Sequence, residues 1–398
     1  MRIAVYSGEI PSTTFIENLI TGLAKKHTIL LFGTRKRRVG YATKHIRVYT
    51  LYKNPFLLGL FSLYWLLGLA FTNYNDYIKL KRHINGQKGS VASKWRLWNK
   101  YGPVVFAQPE IFHIQWAKGV AEWLFLKQLF NIRLVVSFRG AHMNYSQIID
   151  KSLDALYVRS LPLYDGYHAV SQDILNNALV YAIDEKKARI IPPAVKDDWT
   201  LHKPLKTKTS QKQSLQLLSV GRDHWIKGYD VAIDACKILA DQDIDFIYTI
   251  IGGEGSEELQ FQIAQLGLQE KVVLLGALPH HKVKEFYLVS DLLVLPSHAE
   301  GVPNVVLEAM ASGLPVLSTR CGGVTSIIDH DVNGWLVPVR NPMALAGEII
   351  KFSKTPCQKL QEVASNAFMT IRERFLLSRQ IDDMERLYDM VLDKRDIL

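Results

Sequence analysis

The sequence predicts an α/β chain of two doubly wound lobes, and three observations carry that expectation. Short apolar runs alternate with helical segments along the whole chain, one polar stretch interrupts the rhythm, and 398 residues exceed what a single core comfortably organises. In the first half the strand-like runs are "RIAVYSG", "HTILLFG", "IFHIQW", "RLVVSFRG" and "GYHAVS". In the second half they are "LQLLSVGRD", "DFIYTIIGG", "KVVLLGAL", "DLLVLPS" and "LPVLSTR". Apolar strands separated by helices imply parallel sheets. The first run ends in Gly8, and "STTFIENLITGLAKKH" follows, with Thr14 and Glu17 at capping-box spacing ahead of an apolar-periodic helix. The interruption is "WTLHKPLKTKTSQKQS", residues 199–214, whose Lys, Thr, Ser and Gln suit a linker. It divides the chain into a first lobe, 1–198, a second lobe, 215–375, and a closing helix, 376–398.

Composition narrows the class. Apolar residues make up 48% and charged residues 22%, which describes a globular protein. Cys236, Cys321 and Cys357 are scattered without metal spacing, so a reducing compartment is expected and a disulfide framework or zinc site is not. Glu9 falls where an export signal needs an apolar run, so the expected location is cytoplasmic.

Charge is uneven. Lys25 to Lys100 holds 16 Lys or Arg against one acid, Asp76, so +15 lies there and −5 on the rest of a chain of net charge +10. Nucleic-acid binders share this pattern, but so does a protein held against anionic lipid. Inside the basic region, "NPFLLGLFSLYWLLGLAFTNYN" (54–75) has no charged residue at all. A core helix, an interfacial helix and a membrane span all fit its length. A single span would separate residues 1–50 from the fold they begin. Basic runs at 34–38 and 79–83 suit phospholipid headgroups, and Phe61 and Trp65 are the aromatic residues expected to meet lipid. The partner expected is an anionic membrane surface, not nucleic acid.

The chemistry concentrates in "HAEGVPNVVLEAMASGLPV", residues 298–316. Glu300 ends the loop after a strand. Pro303 suits the first position of a helix, Gly313 suits its stop, and Glu308 lies about one and a half turns inside. Pro303 and Glu308 are then roughly 7–8 Å apart along the axis. Gly301, Val302, Pro303 and Asn304 form the turn whose amides face outward and can hold an anion. A diphosphate at those amides, with a hydroxylated group for each carboxylate to grip, describes a nucleotide sugar. The bland alternative is two glutamates favoured by the helix dipole. In "LLSVGRDHWIKGYD", Arg222 directly follows a strand and Lys227 opens a helix, two cations that suit a pyrophosphate gaining charge as a bond breaks. Two other motifs carry less. "DQDID" (241–245) precedes a strand and reads as a solvated turn, and "GGEG" (252–255) lacks the third glycine of a dinucleotide fingerprint.

These motifs, with "IIGGEGSEELQFQIAQLGLQEKVVLLGAL" and "EGVPNVVLEAMASGLPVLSTRCGG", resemble glycosyltransferase family 4, retaining nucleotide-sugar transferases of the GT-B fold, over nearly the whole chain. "IPSTTFIENL" is similar to a signature of branches acting on exopolysaccharides and lipopolysaccharides, with Thr13 where glutamate is usual. The resemblance implies two Rossmann-like lobes, the closing helix returning to the first. It implies that Glu300 contacts the donor sugar, Glu308 the ribose, and Arg222 and Lys227 the diphosphate. It departs at "VVSFRGAH", where Arg139 occupies a family histidine's place and His142 is a possible substitute. His113 matches another family histidine but suits a buried strand equally. Pro193-Ala194 replaces a usual Asn-Gly.

The reaction so implied is retaining transfer of a sugar from a nucleotide donor to a glycan or lipid-linked acceptor, with no metal and no further cofactor. Two rivals stay open: a nucleotide-sugar epimerase of the same architecture, and a donor-binding subunit without activity.

Overall fold

The computed structural model describes residues 1–37, 39–200 and 214–393. All but residues 199, 200 and 214 of the expected linker lie outside the described residues. The chain divides into two compact units, Met1–Ile191 with Gln380–Leu398, and Pro192–Arg379. The crossing at Pro192 comes earlier than the residue-198 boundary read from composition. Val195 and Trp199 explain it: both pack into the hydrophobic cluster of the second unit, and Val195 bridges to Leu376.

The first unit holds seven parallel strands: β1 (Arg2–Ile10), β2 (Thr28–Arg35), β3 (Ile46–Thr50), β4 (Ile111–Ile114), β5 (Arg133–Phe138), β6 (Gly166–Ala169) and β7 (Ala188–Ile190), in the order β3-β2-β1-β4-β5-β6-β7. The second holds β8 (Leu215–Val220), β9 (Phe246–Ile251), β10 (Val272–Leu275), β11 (Leu292–Leu295), β12 (Val316–Thr319) and β13 (Trp335–Val337), in the order β10-β9-β8-β11-β12-β13. All ten strands expected from sequence are present. The sequence reading omits β3, β7 and β13, each at a sheet edge and only three to five residues long, too short to give a distinct apolar run. Each order reverses once, between β1 and β4 and between β8 and β11. Outside the carboxyl ends at such a reversal, neighbouring loops diverge and leave a crevice.

Helix α1 (Thr14–Leu23) starts one residue earlier than the capping-box reading requires. Thr13 is the N-cap and makes no side-chain cap bond. Glu17 still reaches back, accepting from the Ser12 N–H (2.6 Å) and the Tyr41 hydroxyl (2.9 Å). β1 continues past Gly8, whose φ of +85° accompanies a register shift against β2.

Three helices connect β3 to β4: α2 (Pro55–Thr72), α3 (Tyr74–Gly86) and α4 (Val91–Ala107). The Ser62 hydroxyl donates to the Trp95 carbonyl (2.9 Å), while Trp65 meets Phe106 at 5.4 Å, so α2 and α4 run side by side in one direction. Lys94 donates to the Asn85 carbonyl (3.3 Å) and Gln108 to Asp76 (3.1 Å), which sets α3 antiparallel to both. α2 is not a core helix, because only Ser62 and Leu69 are buried in it. Phe56, Leu60, Leu63, Tyr64, Leu67 and Phe71 are exposed, at 77% for Phe56 and 86% for Phe71. Their spacing is one helical face. Phe61 and Trp65 instead turn inward, against Tyr52 and Phe106.

The closing helix, Leu377–Leu392, joins the first unit from Gln380 onward. Glu385 pairs with Lys26 (2.8 Å) and His27 (3.0 Å). Gly22 and Gly166 leave room for Ile381 and Val391, which a Cβ at either would strike. Under the helix runs a buried hydrogen-bond chain: Tyr388 to His113 (2.7 Å), His113 to Ser137 (2.8 Å), Ser137 to His168 (2.8 Å), and His168 to the Ile191 carbonyl (2.7 Å). The carbonyl can only accept, and with both imidazoles held neutral by burial that places every proton. His168 Nε2 donates to Ile191, Ser137 to His168 Nδ1, His113 Nε2 to Ser137, and Tyr388 to His113 Nδ1. Burial pushes the His168 pKa down to about 3, with Arg139 adding to the effect, and lowers His113 well below its usual value, with His168 and Arg139 contributing. Neutral burial contributes stability above the unfolded value near 6.5, and that contribution is lost as pH falls below it. Tyr388→Phe removes the first donor and leaves His113 Nδ1 unsatisfied. Denaturant unfolding at pH 7.5 should register a loss of about 1–3 kcal/mol. An unchanged midpoint would mean that the chain contributes nothing to stability.

Candidate functional site

In the second unit, the exits of β8 and β11 lie side by side because those strands are neighbours at the reversal. After β8 the chain runs through Gly221 and Arg222 into the turn Trp225–Lys227, and Gly228 (φ +63°) turns it into the helix Tyr229–Asp241. A Cβ on Gly228 would lie 2.3 Å from the Pro296 carbonyl oxygen, so only glycine lets this turn close on the exit of β11. The His298 N–H donating to the Ile226 carbonyl (2.7 Å) joins the two loops.

The result is a direct contact between two of the predicted residues. Lys227 Nζ lies 2.7 Å from Glu300 Oε1, and the Ser297 hydroxyl donates to the same oxygen at 2.8 Å. Both charged side chains are largely buried, with 19% and 14% exposed, where a charge-assisted bond holds its geometry better than on an open surface. The Glu300–Gly301 backbone rests on Gly322 and Gly323. A Cβ at those positions would fall 2.0 Å and 1.8 Å from the carbonyl oxygens of Glu300 and Gly301. Arg222 is exposed at the same exit and forms no ion pair among the described residues.

The helix after this loop is Asn304–Ala311, with Pro303 as N-cap and not as first helical residue. Pro303 offers no side-chain cap. Amides of a helix's first turn lack intrahelical acceptors, so the start of this helix presents donors beside Glu300. Glu308 is held from a second direction: His280 lies 2.8 Å from one carboxylate oxygen, and the Tyr287 hydroxyl donates to the other at 3.0 Å. The bond to Glu308 raises the His280 pKa.

Sequence reasoning missed His280, Tyr287 and Ser297, which carry no motif of their own and act through Glu308 and Glu300. It also missed Tyr229. This side chain is buried, its hydroxyl has no hydrogen-bond partner, and a Cβ on Gly221 would come within 2.7 Å of it. Burial, with Glu300 and Asp223 nearby, pushes its pKa up. A cavity of about 520 Å³ lies along the 223–231 turn, bordered by Tyr229, Ser256, Glu258, His298 and Arg340.

The first-unit candidates stand apart from these and are described within their own unit. Gly8 lies near the end of β1, where a Cβ would meet open space. Arg139 directly follows β5 and is buried. Its Nη2 donates to Gln115 Oε1 (3.1 Å) and its guanidinium stands 4.9 Å over the Phe15 ring. His142, in the short helix Gly140–Asn144, meets Trp116 at 5.8 Å, and its buried Nδ1 has no partner. Burial, with Lys118 adding to it, lowers the His142 pKa. His113, left open by the sequence, is a wholly buried member of the hydrogen-bond chain under the closing helix.

Residues 203–368 match the family model described as glycosyl transferases group 1. The chain is 40% identical over 157 residues to the amylovoran biosynthesis glycosyltransferase AmsK of Erwinia amylovora, 38% of this chain and 39% of that one. The matched stretch thus spans about two fifths of that relative's length. Two solved structures resemble the chain throughout. A glycosyltransferase from Rickettsia africae gives a TM-score of 0.72 at 19% identity, covering 99% of both chains. Anabaena HepE in complex with UDP-glucose gives 0.69 at 17% identity, covering 98% of this chain and 100% of that one. At such identities the likeness shows the fold.

Proposed function

We propose that this GT-B chain, whose residues 203–368 belong to the group 1 glycosyl transferases, moves a sugar from a nucleotide-sugar donor to a glycan or lipid-linked acceptor in cell-surface polysaccharide synthesis. The observation that carries the reading is the Lys227–Glu300 contact beside a helix start, with Arg222 at the same strand exit. In glycosyl transfer the bond from sugar to diphosphate breaks and the leaving oxygen gains negative charge. Arg222, Lys227 and the first-turn amides are donors for that charge, which stabilises the transition state more than the ground state. Glu300, held on Lys227 and Ser297, is the carboxylate left to grip the donor sugar's hydroxyls, and Glu308 the one for the ribose. HepE, as solved with UDP-glucose, is consistent with this class of donor.

The transfer proceeds with retention and without metal. Two of the first unit's carboxylates near the β1 exit are engaged elsewhere: Glu9 with Lys36, and Glu17 with Ser12 and Tyr41. Neither stands unpaired as a base or nucleophile, which is in keeping with same-face attack, the leaving phosphate taking the acceptor's proton. Three cationic or dipolar groups already serve the diphosphate, so a divalent ion adds little. Incubation with nucleotide sugars and a membrane extract in EDTA, followed by proton NMR of the product, should give nucleotide release and a new linkage of the donor's own anomeric configuration. An inverted product would remove same-face attack, and loss of turnover on chelation would mean the phosphate site is misread. Sugar conversion without any acceptor would favour an epimerase.

The protein is proposed to act in the cytoplasm, peripherally on the inner face of the membrane. The exposed apolar stripe of α2 extends roughly 22 Å, and the end it shares with the C-terminus of α3 and the N-terminus of α4 carries Lys53, Lys81, Arg82, Lys88, Lys94 and Arg96. Apolar insertion beside basic residues is the pattern of interfacial helices on anionic lipid. A span is incompatible with the sheet, because β1 pairs with both β2 and β4 while α2 lies between β3 and β4 in the chain. Co-sedimentation with phosphatidylglycerol vesicles should be strong at low salt and weak at high salt. The exposed pair Phe56→Ser and Phe71→Ser should reduce it at least fivefold without lowering the melting temperature. Binding equal for wild type and variant would dismiss the stripe as a lipid contact.

A further inference from the structure

We infer that the carboxyl end of the first-unit sheet, around Arg139, is a subsite for an oxyanion, a phosphate or carboxylate carried by the acceptor. Identifying the carrier as the acceptor rests on the transferase reading. The anion site stands on first-unit geometry.

Arg139 is 6% exposed, and no carboxylate lies within ion-pair distance of it among the described residues. Arg133, at the opposite end of β5, shows the ordinary solution: it pairs with Asp165 at 3.3 Å. A guanidinium taken out of water without a counter-charge is costly, and the contact with Phe15 offsets only part of that cost. Burial pushes its pKa down only to about 10, so it stays charged at neutral pH. One N–H is satisfied by Gln115 Oε1. That bond orients Gln115 so that its amide nitrogen, also buried, has no partner, and Arg139 Nε and His142 Nδ1 have none either. The three unsatisfied nitrogens sit on the loops leaving two neighbouring strands, β4 and β5. Trp116, on the loop leaving β4, lies 5.8 Å from His142 and 6.3 Å from Phe15.

Such a cluster offers buried donors at Arg139 Nε and the Gln115 amide, a donor or acceptor at His142 Nδ1 according to its tautomer, and one positive charge. Buried polar groups in native proteins are nearly always satisfied, so several orphans together mark a missing partner. A neutral hydroxyl would supply an acceptor but leave the charge unpaired. An oxyanion with two or three oxygens supplies both, and the planar guanidinium suits it.

The test is thermal shift with saturating UDP, using millimolar sodium pyrophosphate, sodium glucuronate and, as a neutral control, glucose. Pyrophosphate or glucuronate should raise the melting temperature by several degrees in wild type and equally in Lys227→Ala, whose second-unit phosphate site is impaired. Arg139→Met should abolish the shift and, without anion, melt no lower than wild type, since it removes an uncompensated buried charge. A response to pyrophosphate alone assigns a phosphate-bearing acceptor, and one to glucuronate alone an acidic sugar. The proposal is overturned if neither anion shifts wild type or if Arg139→Met keeps the shift. Should Arg139→Met not fold, Gln115→Met deletes one donor and should weaken apparent affinity at least threefold. Unchanged affinity there also overturns it. If no nucleoside diphosphate binds at all, the transferase reading fails, while the Lys227→Ala result still decides the anion site.

Discussion

The second unit's chemistry depends on one contact, Lys227 against Glu300. Those residues are 73 positions apart and meet because β8 and β11 are neighbours at the point where strand order reverses. Everything nearby serves that meeting. Gly228 lets the lysine turn close on Pro296, Ser297 shares the glutamate's oxygen, and Gly322 and Gly323 leave space for the glutamate's own backbone. A pair that is mostly buried and triply supported is a preorganised one, and preorganisation is what lets a cation stabilise charge that appears only in the transition state.

The first unit is organised differently. Its polar core is a neutral chain from Tyr388 to Ile191, whose protons are placed by the terminal carbonyl together with two histidines that burial keeps neutral. Directly above this settled network, at the strand exits, sits the unsettled one of Arg139, Gln115 and His142. Strain of this kind persists where function needs it, since replacing a buried lone cation by an apolar residue is usually favourable.

Much of this was legible before any coordinates. The ten strong strands announce themselves as apolar runs, and the reversal rule points to the loops after them. Glu300, Arg222 and Lys227 could be named because each lies in a loop between a strand and the helix that follows it. Edge strands β3, β7 and β13 were not legible, being only three to five residues long. The helix start was displaced by one residue, because proline suits the N-cap and the first position alike. His280 and Tyr287 were invisible, since their role is to hold Glu308 from a distant segment and no local pattern encodes that. The α2 segment could not be resolved from composition: apolar residues cover the whole helix, and only packing against α3 and α4 distinguishes Trp65, turned inward, from Phe71, turned out.

The central claim is that the paired exits of β8 and β11 bind a nucleotide sugar through Lys227 and Glu300, each gripping a different part. Calorimetric titration of nucleoside diphosphates and their sugars into wild type, Lys227→Ala and Glu300→Gln tests it most directly. The account predicts that Lys227→Ala weakens the diphosphate itself by roughly ten- to a hundredfold, the scale of one charge-assisted bond. Glu300→Gln should bind the bare diphosphate nearly as wild type does and lose the extra affinity conferred by the sugar. Equal diphosphate binding by wild type and Lys227→Ala would contradict it.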